Sequence, residues 1–351
     1  MIKKCSINNK NETTIHKTIL HFFPIAVIRA FTKHKLVKFS IFKSQLNKKS
    51  KHKNANMKKS PVIFIIICLF TVTAFAQKNQ IPVINQKQEH VLKSKINGTT
   101  YYLSVSLPMH YSKTDTTRYP VLYMLDGGLA FPIVHAARTG LDLFGELEDV
   151  IIVGIDYEWK QSLSPWMTGR WKDYTISKDE KMDSSPVYLK LFGLQPGALS
   201  SGGAPIFLDV IKKEIIPFID KNYKATNDRG IYGHSFGGLF AAYCMVTSPG
   251  LFQRYGINSP SLWWNKLEMF KLEKLYSEKN TSLPAKVFMS VGSLEGKTMT
   301  PVMTAFADTL RSRNYDGLNL TTHIFDDEDH MSVMPANISR TLRVLYGKKE
   351  N

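Results

Sequence analysis

A serine flanked by glycines, Gly233-His234-Ser235-Phe236-Gly237-Gly238, stands between a strand-like segment, Gly230-Ile231-Tyr232, and a helix-like one, Leu239 to Val246. That setting suits a nucleophile. At a sharp strand-to-helix turn the hydroxyl projects clear of the sheet, and side chains at the flanking glycine positions would collide with the neighbouring strand and helix. The N-terminus of the following helix also turns backbone N–H groups toward a carbonyl under attack. A serine hydroxyl still needs a base to take its proton, and the base needs a partner to fix its orientation. Only His323 and His330 follow Ser235. His323 falls in the alternating run Leu318 to Phe325 and reads as a sheet residue. His330, in the loop Asp326-Asp327-Glu328-Asp329-His330-Met331-Ser332 ahead of a terminal helix, reads as the base.

The acid is expected on the loop after the strand-like Lys286 to Gly292, where Glu295 is the first carboxylate. Asp308 is the alternative, but it lies in a helical run and reads as a solvated face. Asp326, Asp327 and Asp329 adjoin the histidine too closely to turn back on its far ring nitrogen. His234 reads as a residue packed under the elbow. The backbone N–H groups of Phe236 and of Gly128, in Leu125-Asp126-Gly127-Gly128, are expected to hold the oxyanion of a tetrahedral intermediate. Trp263 and Trp264 read equally as pocket wall or as core. The chemistry implied is attack on an ester carbonyl with no cofactor and no metal, on a small-molecule ester substrate.

The elements that must position these groups alternate. Residues 89–108 carry Tyr101, Leu103, Val105 and Leu107 on one face, with Asn97-Gly98 as a hairpin turn. Tyr119 to Leu125, Asp149 to Asp156 and Lys286 to Gly292 are nearly continuous apolar runs, as strands buried on both faces of a parallel sheet require. Helical patterns lie between them, at Ala130 to Leu143, Pro205 to Tyr223 and Leu239 to Thr247. The expected fold class is α/β, a mainly parallel central sheet with helices on both faces. Residues 158–203, rich in Trp, Ser, Gly and charge, break the alternation and read as a long irregular insert of the kind that forms lids and binding loops.

The net charge of +17 raises the question of a nucleic-acid partner, and its distribution answers it. Residues 1–56 hold thirteen Lys or Arg against Glu12 alone, and Lys58 and Lys59 add two more, so residues 77–351 keep only +3. No nucleic-acid partner is expected. From Met57, the lysine pair, the apolar run Val62 to Phe75 and the small residues Ala74 and Ala76 read as a secretory signal peptide, residues 57–76. An uncleaved anchor is the alternative, though the run is shorter than the roughly 20 residues that span a bilayer. Residues 1–56 read as an extension ahead of the true start, 77–88 as a linker and 89–347 as the working domain. The expected location is the periplasm or cell exterior, with no stable membrane span after cleavage. Of Cys5, Cys68 and Cys244, only the last falls in the mature chain, so no intrachain disulfide is expected.

Taken together, Tyr123-Met124-Leu125-Asp126-Gly127-Gly128, the elbow at 233–238, Ser259-Pro260-Ser261-Leu262-Trp263-Trp264, the segment 292–296 and Asp329-His330 resemble the putative esterase family. That family includes esterase D, feruloyl esterases, mycolyltransferases and the ferric enterobactin and salmochelin esterases. The resemblance covers roughly residues 88–347. It implies an α/β-hydrolase fold with a serine triad and hydrolysis without a metal. Arg170 and Asp173, in Gly169-Arg170-Trp171-Lys172-Asp173-Tyr174-Thr175, resemble the family's Arg-x-x-Asp-x-Thr-Pro loop without its proline, which makes them candidate substrate contacts. A siderophore trilactone is suggested as substrate on the same ground. Acyl transfer to a sugar or alcohol, and a catalytically silent glycan or siderophore binder, stand as alternatives.

Overall fold

The computed structural model describes residues 87–158 and 162–348. The basic extension, the signal segment, most of the linker and Trp159 lie outside the described residues. Strand β1 (Lys87–Lys93) pairs antiparallel with β2 (Thr100–Ser106) across a turn in which Gly98 takes φ +74°. Lys87 and Gln88, read above as linker, therefore belong to the sheet. The remaining strands are β3 (Tyr119–Met124), β4 (Ile151–Asp156), β5 (Ala225–His234), β6 (Arg254–Asn258), β7 (Ser282–Gly292) and β8 (Asp316–Phe325). Their order is β1-β2-β4-β3-β5-β6-β7-β8, with β3 to β8 parallel throughout and β2 antiparallel to β4.

The alternation of side chains along each strand divides two cores. Val121 and Tyr123 face one, Leu122 and Met124 the other. On the Leu122 face, helix α1 (Gly127–Leu143) contributes Phe131 and Val134, and the C-terminal helix contributes Ile338, Leu342 and Leu345. The Val121 face is covered by the helix after the elbow, among others, through Leu239, Phe240 and Ala242. Both faces of the sheet are thus sealed, and the strand ends are left to carry function.

Two expectations need correction. The insert is not irregular: it folds as α2 (Ser164–Tyr174), α3 (Glu180–Asp183) and α4 (Pro186–Leu191). Its aromatics are the reason, since Trp171 and Tyr174 are fully buried and the Trp171 indole donates to Asp183 Oδ1 at 2.8 Å. Asp183 also accepts the backbone N–H of Ser201, so one carboxylate ties α2 to the segment that closes the insert. The helical run at 205–223 is also not one regular helix. It comprises α5 (Ala204–Val210), a π-turn (Ile211–Ile215) and α6 (Ile216–Asn222). Pro217 has no N–H to give and its ring would crowd the carbonyl four residues back, so the chain widens by a residue there. Helices α7 (Phe236–Thr247), α8 (Trp264–Ser277), α9 (Thr300–Ser312) and α10 (Met334–Tyr346) complete the fold. Among the described residues, no helix is long and apolar enough to cross a membrane.

Candidate active site

Ser235 occupies the turn between β5 and α7 with φ 62° and ψ −121°, a backbone conformation costly to a residue with a side chain. Three hydrogen bonds impose it. The Ser235 N–H donates to the Asn258 carbonyl at 3.1 Å, and its own carbonyl accepts from Leu239 N–H at 3.0 Å and Ser261 N–H at 3.1 Å. The crowding that demands glycine falls on two positions. A Cβ on Gly233 would lie 2.0 Å from the Gly237 carbonyl oxygen, and one on Gly238 would lie 2.8 Å from the Asn258 carbonyl oxygen. Gly237 itself is less constrained, with its nearest neighbour at an ordinary 3.4 Å.

Glu295 and His330 meet. The loop after β7 buries the Glu295 carboxylate completely, and its Oε2 lies 2.7 Å from His330 Nδ1. Its Oε1 accepts two further bonds, from Gly292 N–H at 2.7 Å and from Ser259 Oγ at 2.6 Å. Asp308 is elsewhere, exposed on α9 and paired with Arg311 at 2.9 Å. Asp329 shapes the histidine loop. Its Oδ1 accepts the N–H groups of Met331 and Ser332, which hold its carboxyl below the usual range.

The half-buried hydroxyl of Ser235 is turned toward Ser261 Oγ, 3.4 Å away, and among the described residues no hydrogen bond joins it to His330. Its neighbour does reach the histidine: the rings of His234 and His330 lie 4.6 Å apart. Nucleophile–base contacts are commonly loose until substrate binds. His234 is buried, and burial, followed by the charges of His330 and Arg170, holds its pKa well below the ordinary value. It is therefore a neutral neighbour of the His330 ring. His323 sits in β8 with its ring edge on Phe325 at 4.4 Å.

The first turn of α7 opens at Phe236, whose N–H has no acceptor within the helix. Gly128 lies in the first turn of α1, and its N–H bears on the carboxylate of Asp156 at the end of β4. Burial is the main cause that raises Asp156 to about 7, with the nearby Asp126 adding to it. Between Gly128, Asp156 to Glu158 and the β2 residues Tyr102 and Ser104 lies a cavity of about 260 Å³.

Arg170 and Asp173 are drawn inward. The Arg170 guanidinium donates through Nε and Nη2 to both oxygens of Asp126, at 2.8 and 3.0 Å. Burial alone would lower its pKa, but the Asp126 charge turns the net shift upward. Asp173 accepts the hydroxyls of Tyr101 at 2.7 Å and Tyr157 at 2.9 Å and is 1% exposed. Asp173, read above as a candidate substrate contact, is instead enclosed by both tyrosines and the protein interior. Arg170 joins the loop ahead of α1 to the insert, a brace that no local motif announced. Trp264 is fully buried with its indole on the Ser177 carbonyl at 3.2 Å, whereas Trp263 is half-buried with its ring 5.9 Å from that of Phe236. Among the described residues no group of His, Cys, Asp and Glu is arranged to hold a metal ion.

A mainly parallel sheet with a strained serine at the strand-to-helix elbow defines an α/β-hydrolase. The family model described as putative esterase matches residues 94–190 and 177–323, and the chain belongs to that family. It is an esterase. It is 28% identical over 263 residues to the ferri-bacillibactin esterase BesA of Bacillus subtilis, covering 72% of this chain and 87% of that one. It is 24% identical over 303 residues to the siderophore triacetylfusarinine C esterase of Aspergillus fumigatus, covering 76% of this chain and 94% of that one. Among solved structures, the BES protein from Bacillus cereus superposes with a TM-score of 0.62 at 29% identity, over 75% of this chain and 95% of that one.

Proposed function

We propose that this chain is an exported serine esterase that opens ester bonds of siderophores, with Ser235 as nucleophile, His330 as general base and Glu295 as the acid that orients it. The observation that carries the reading is the fully buried Glu295 carboxylate set 2.7 Å from His330 Nδ1, at the end of the sheet where the serine elbow lies. Rotation of the Ser235 side chain from Ser261 toward His330 gives the hydroxyl to the imidazole, which takes its proton as Oγ bonds to the ester carbonyl carbon. The imidazolium then returns that proton to the departing alcohol. Water, deprotonated by the same imidazole, releases the acid and restores the serine. The Phe236 N–H is the proposed first donor to the oxyanion and the Gly128 N–H the proposed second, which requires it to turn away from the Asp156 carboxylate as substrate binds; Trp263 beside Phe236 is a proposed wall of the acyl pocket.

The substrate class rests on the similar proteins, whose names specify bacillibactin and triacetylfusarinine C esters. The location rests on the signal-like segment 57–76. Incubation with a fluorophosphonate, followed by peptide mass analysis, tests the chemistry: a covalent adduct on Ser235 is expected, and an unmodified serine in a folded sample refutes it. Parallel assays with a catecholate trilactone and a short p-nitrophenyl ester test the class. Faster turnover of the trilactone is expected. N-terminal sequencing of the exported protein is expected to begin at Gln77.

A further inference from the structure

Three residues beyond β6, Ser259-Pro260-Ser261, touch both halves of the proposed machinery. Ser261 reaches the nucleophile twice, by its N–H on the Ser235 carbonyl and by its hydroxyl 3.4 Å from Ser235 Oγ. Ser259 reaches the acid: it is fully buried, and its Oγ donates to Glu295 Oε1 at 2.6 Å. Its backbone is anchored as well, with its N–H on the Ser290 carbonyl of β7 at 2.7 Å. Ser259 holds φ 41°, in the left-handed region that side chains avoid. A strained serine with its hydroxyl on a buried carboxylate is an arrangement that the fold alone does not require, because Asn or Gly would sit in that conformation more comfortably.

The division of labour at Glu295 gives this contact its consequence. A carboxylate has two oxygens, and a buried one is stable as a charge only when several donors converge on it. Here Oε1 takes both Ser259 and the Gly292 N–H, leaving Oε2 to His330. Without Ser259, Oε1 would keep only the Gly292 N–H, and the carboxylate plane would be held less firmly against His330.

We infer that Ser259 is a positioning residue for the esterase reaction, its hydroxyl locking the Glu295 carboxylate in the one orientation that presents Oε2 to the His330 imidazole. The inference rests on the Ser235–His330–Glu295 reading above. Ser259→Ala would keep the backbone strain and lose the hydroxyl, so a misfolded product would be ambiguous. Ser259→Gly removes the hydroxyl and relieves the strain together, and it is the variant to use.

With a p-nitrophenyl ester in single- and multiple-turnover assays, Ser259→Gly is expected to lower kcat on the order of tenfold to a hundredfold. KM stays within about twofold, because the hydroxyl lies behind the triad and away from substrate. In the Glu295→Gln background the same change is expected to cost less than about twofold, since residues acting through one group are not additive. The downfield proton resonance of the His330 Nδ1–H is expected to move upfield and broaden in Ser259→Gly. Retention of wild-type kcat and an unmoved resonance in a folded Ser259→Gly enzyme would overturn the positioning role, as would a full additive loss in the Glu295→Gln background. If Ser235→Ala kept its turnover, the triad reading itself would fall and this inference with it. Loss of turnover in Ser235→Ala beside unchanged Ser259→Gly would sink the positioning role alone.

Discussion

The two sides of the site are held in different ways. On the side of Ser235, Glu295 and His330, each group sits within a few residues of the end of a parallel strand, and the strands fix their spacing through the sheet ladder. On the side of Gly128, the loop ahead of α1 is held by side chains from the insert: Arg170 on Asp126, and the Tyr174 hydroxyl accepting the Asp126 N–H at 3.2 Å. The first side is built by the ends of adjacent parallel strands and a short chain of side-chain bonds on the loops that follow them, Ser259 to Glu295 to His330. The second depends on a buried ion pair and a few aromatic rings that the insert contributes. Substitutions on the first side should therefore cost chemistry with little stability, and those on the second should cost both.

The largest effect is expected at Ser235, the proposed nucleophile. Ser235→Ala is expected to lower kcat by a factor on the order of 10⁴ to 10⁶ while the melting temperature stays near wild type. Steady-state kinetics and calorimetry of one preparation check both halves. Arg170→Ala comes next, and it tests the other side. Removing the cation leaves the Asp126 carboxylate buried without its two charge-assisted donors, which typically costs about 3–5 kcal/mol. Denaturant unfolding is expected to register that loss, with kcat falling as the loop that carries Gly128 loosens. If Arg170→Ala lost activity with no loss of stability, the contrast between the two sides would be wrong.

Asp156 sharpens the same contrast through pH. In the folded chain its pKa stands at about 7, chiefly because it is buried, while in the unfolded chain it returns to the ordinary carboxylate value. The fold therefore keeps a proton that the unfolded chain releases. The penalty is absent below about pH 4, grows as pH rises toward 7 and is complete above it, reaching about 4 kcal/mol as an upper bound. Asp126, Arg170, Tyr157 and the Gly128 N–H all bear on this carboxylate, so the penalty falls on the segment that carries Gly128. Asp156→Asn is expected to be more stable than wild type at pH 8 and no more stable at pH 4. An equal stability difference at both values would show that ionisation is not its source.

What the sequence made legible follows the same line. The elbow, the order of strands and helices, and the loop positions of Glu295 and His330 could be read because each is tied to a local pattern: glycines at fixed offsets, apolar runs, a loop after a strand. Arg170 and Asp126 lie 44 residues apart and announce nothing locally, so their pairing was hidden. The enclosure of Asp173 was hidden for the same reason, since the tyrosines around it come from β2 and from the segment after β4. Ser259 was visible as a residue type but not as a strained one, because nothing in a Ser-Pro-Ser string dictates a positive φ. The insert looked irregular because its helices are short and held by aromatic contacts rather than by an extended apolar stripe.

The smallest effect tests the choice of acid. Asp308 and Glu295 are both carboxylates following β7, and a sequence reading separates them only by the helical context of Asp308. In the structure Asp308 points from α9 to solvent and pairs with Arg311 one turn away, an exposed pair of the kind that contributes about 0–1 kcal/mol. Asp308→Ala is expected to leave kcat, KM and unfolding midpoint within error of wild type. Glu295→Ala, assayed beside it, removes the carboxylate on His330 Nδ1 and is expected to lower kcat by at least about a hundredfold. Equal losses at the two positions would mean that Glu295 orients nothing, for the exposed pair has no route to the histidine other than through the fold as a whole.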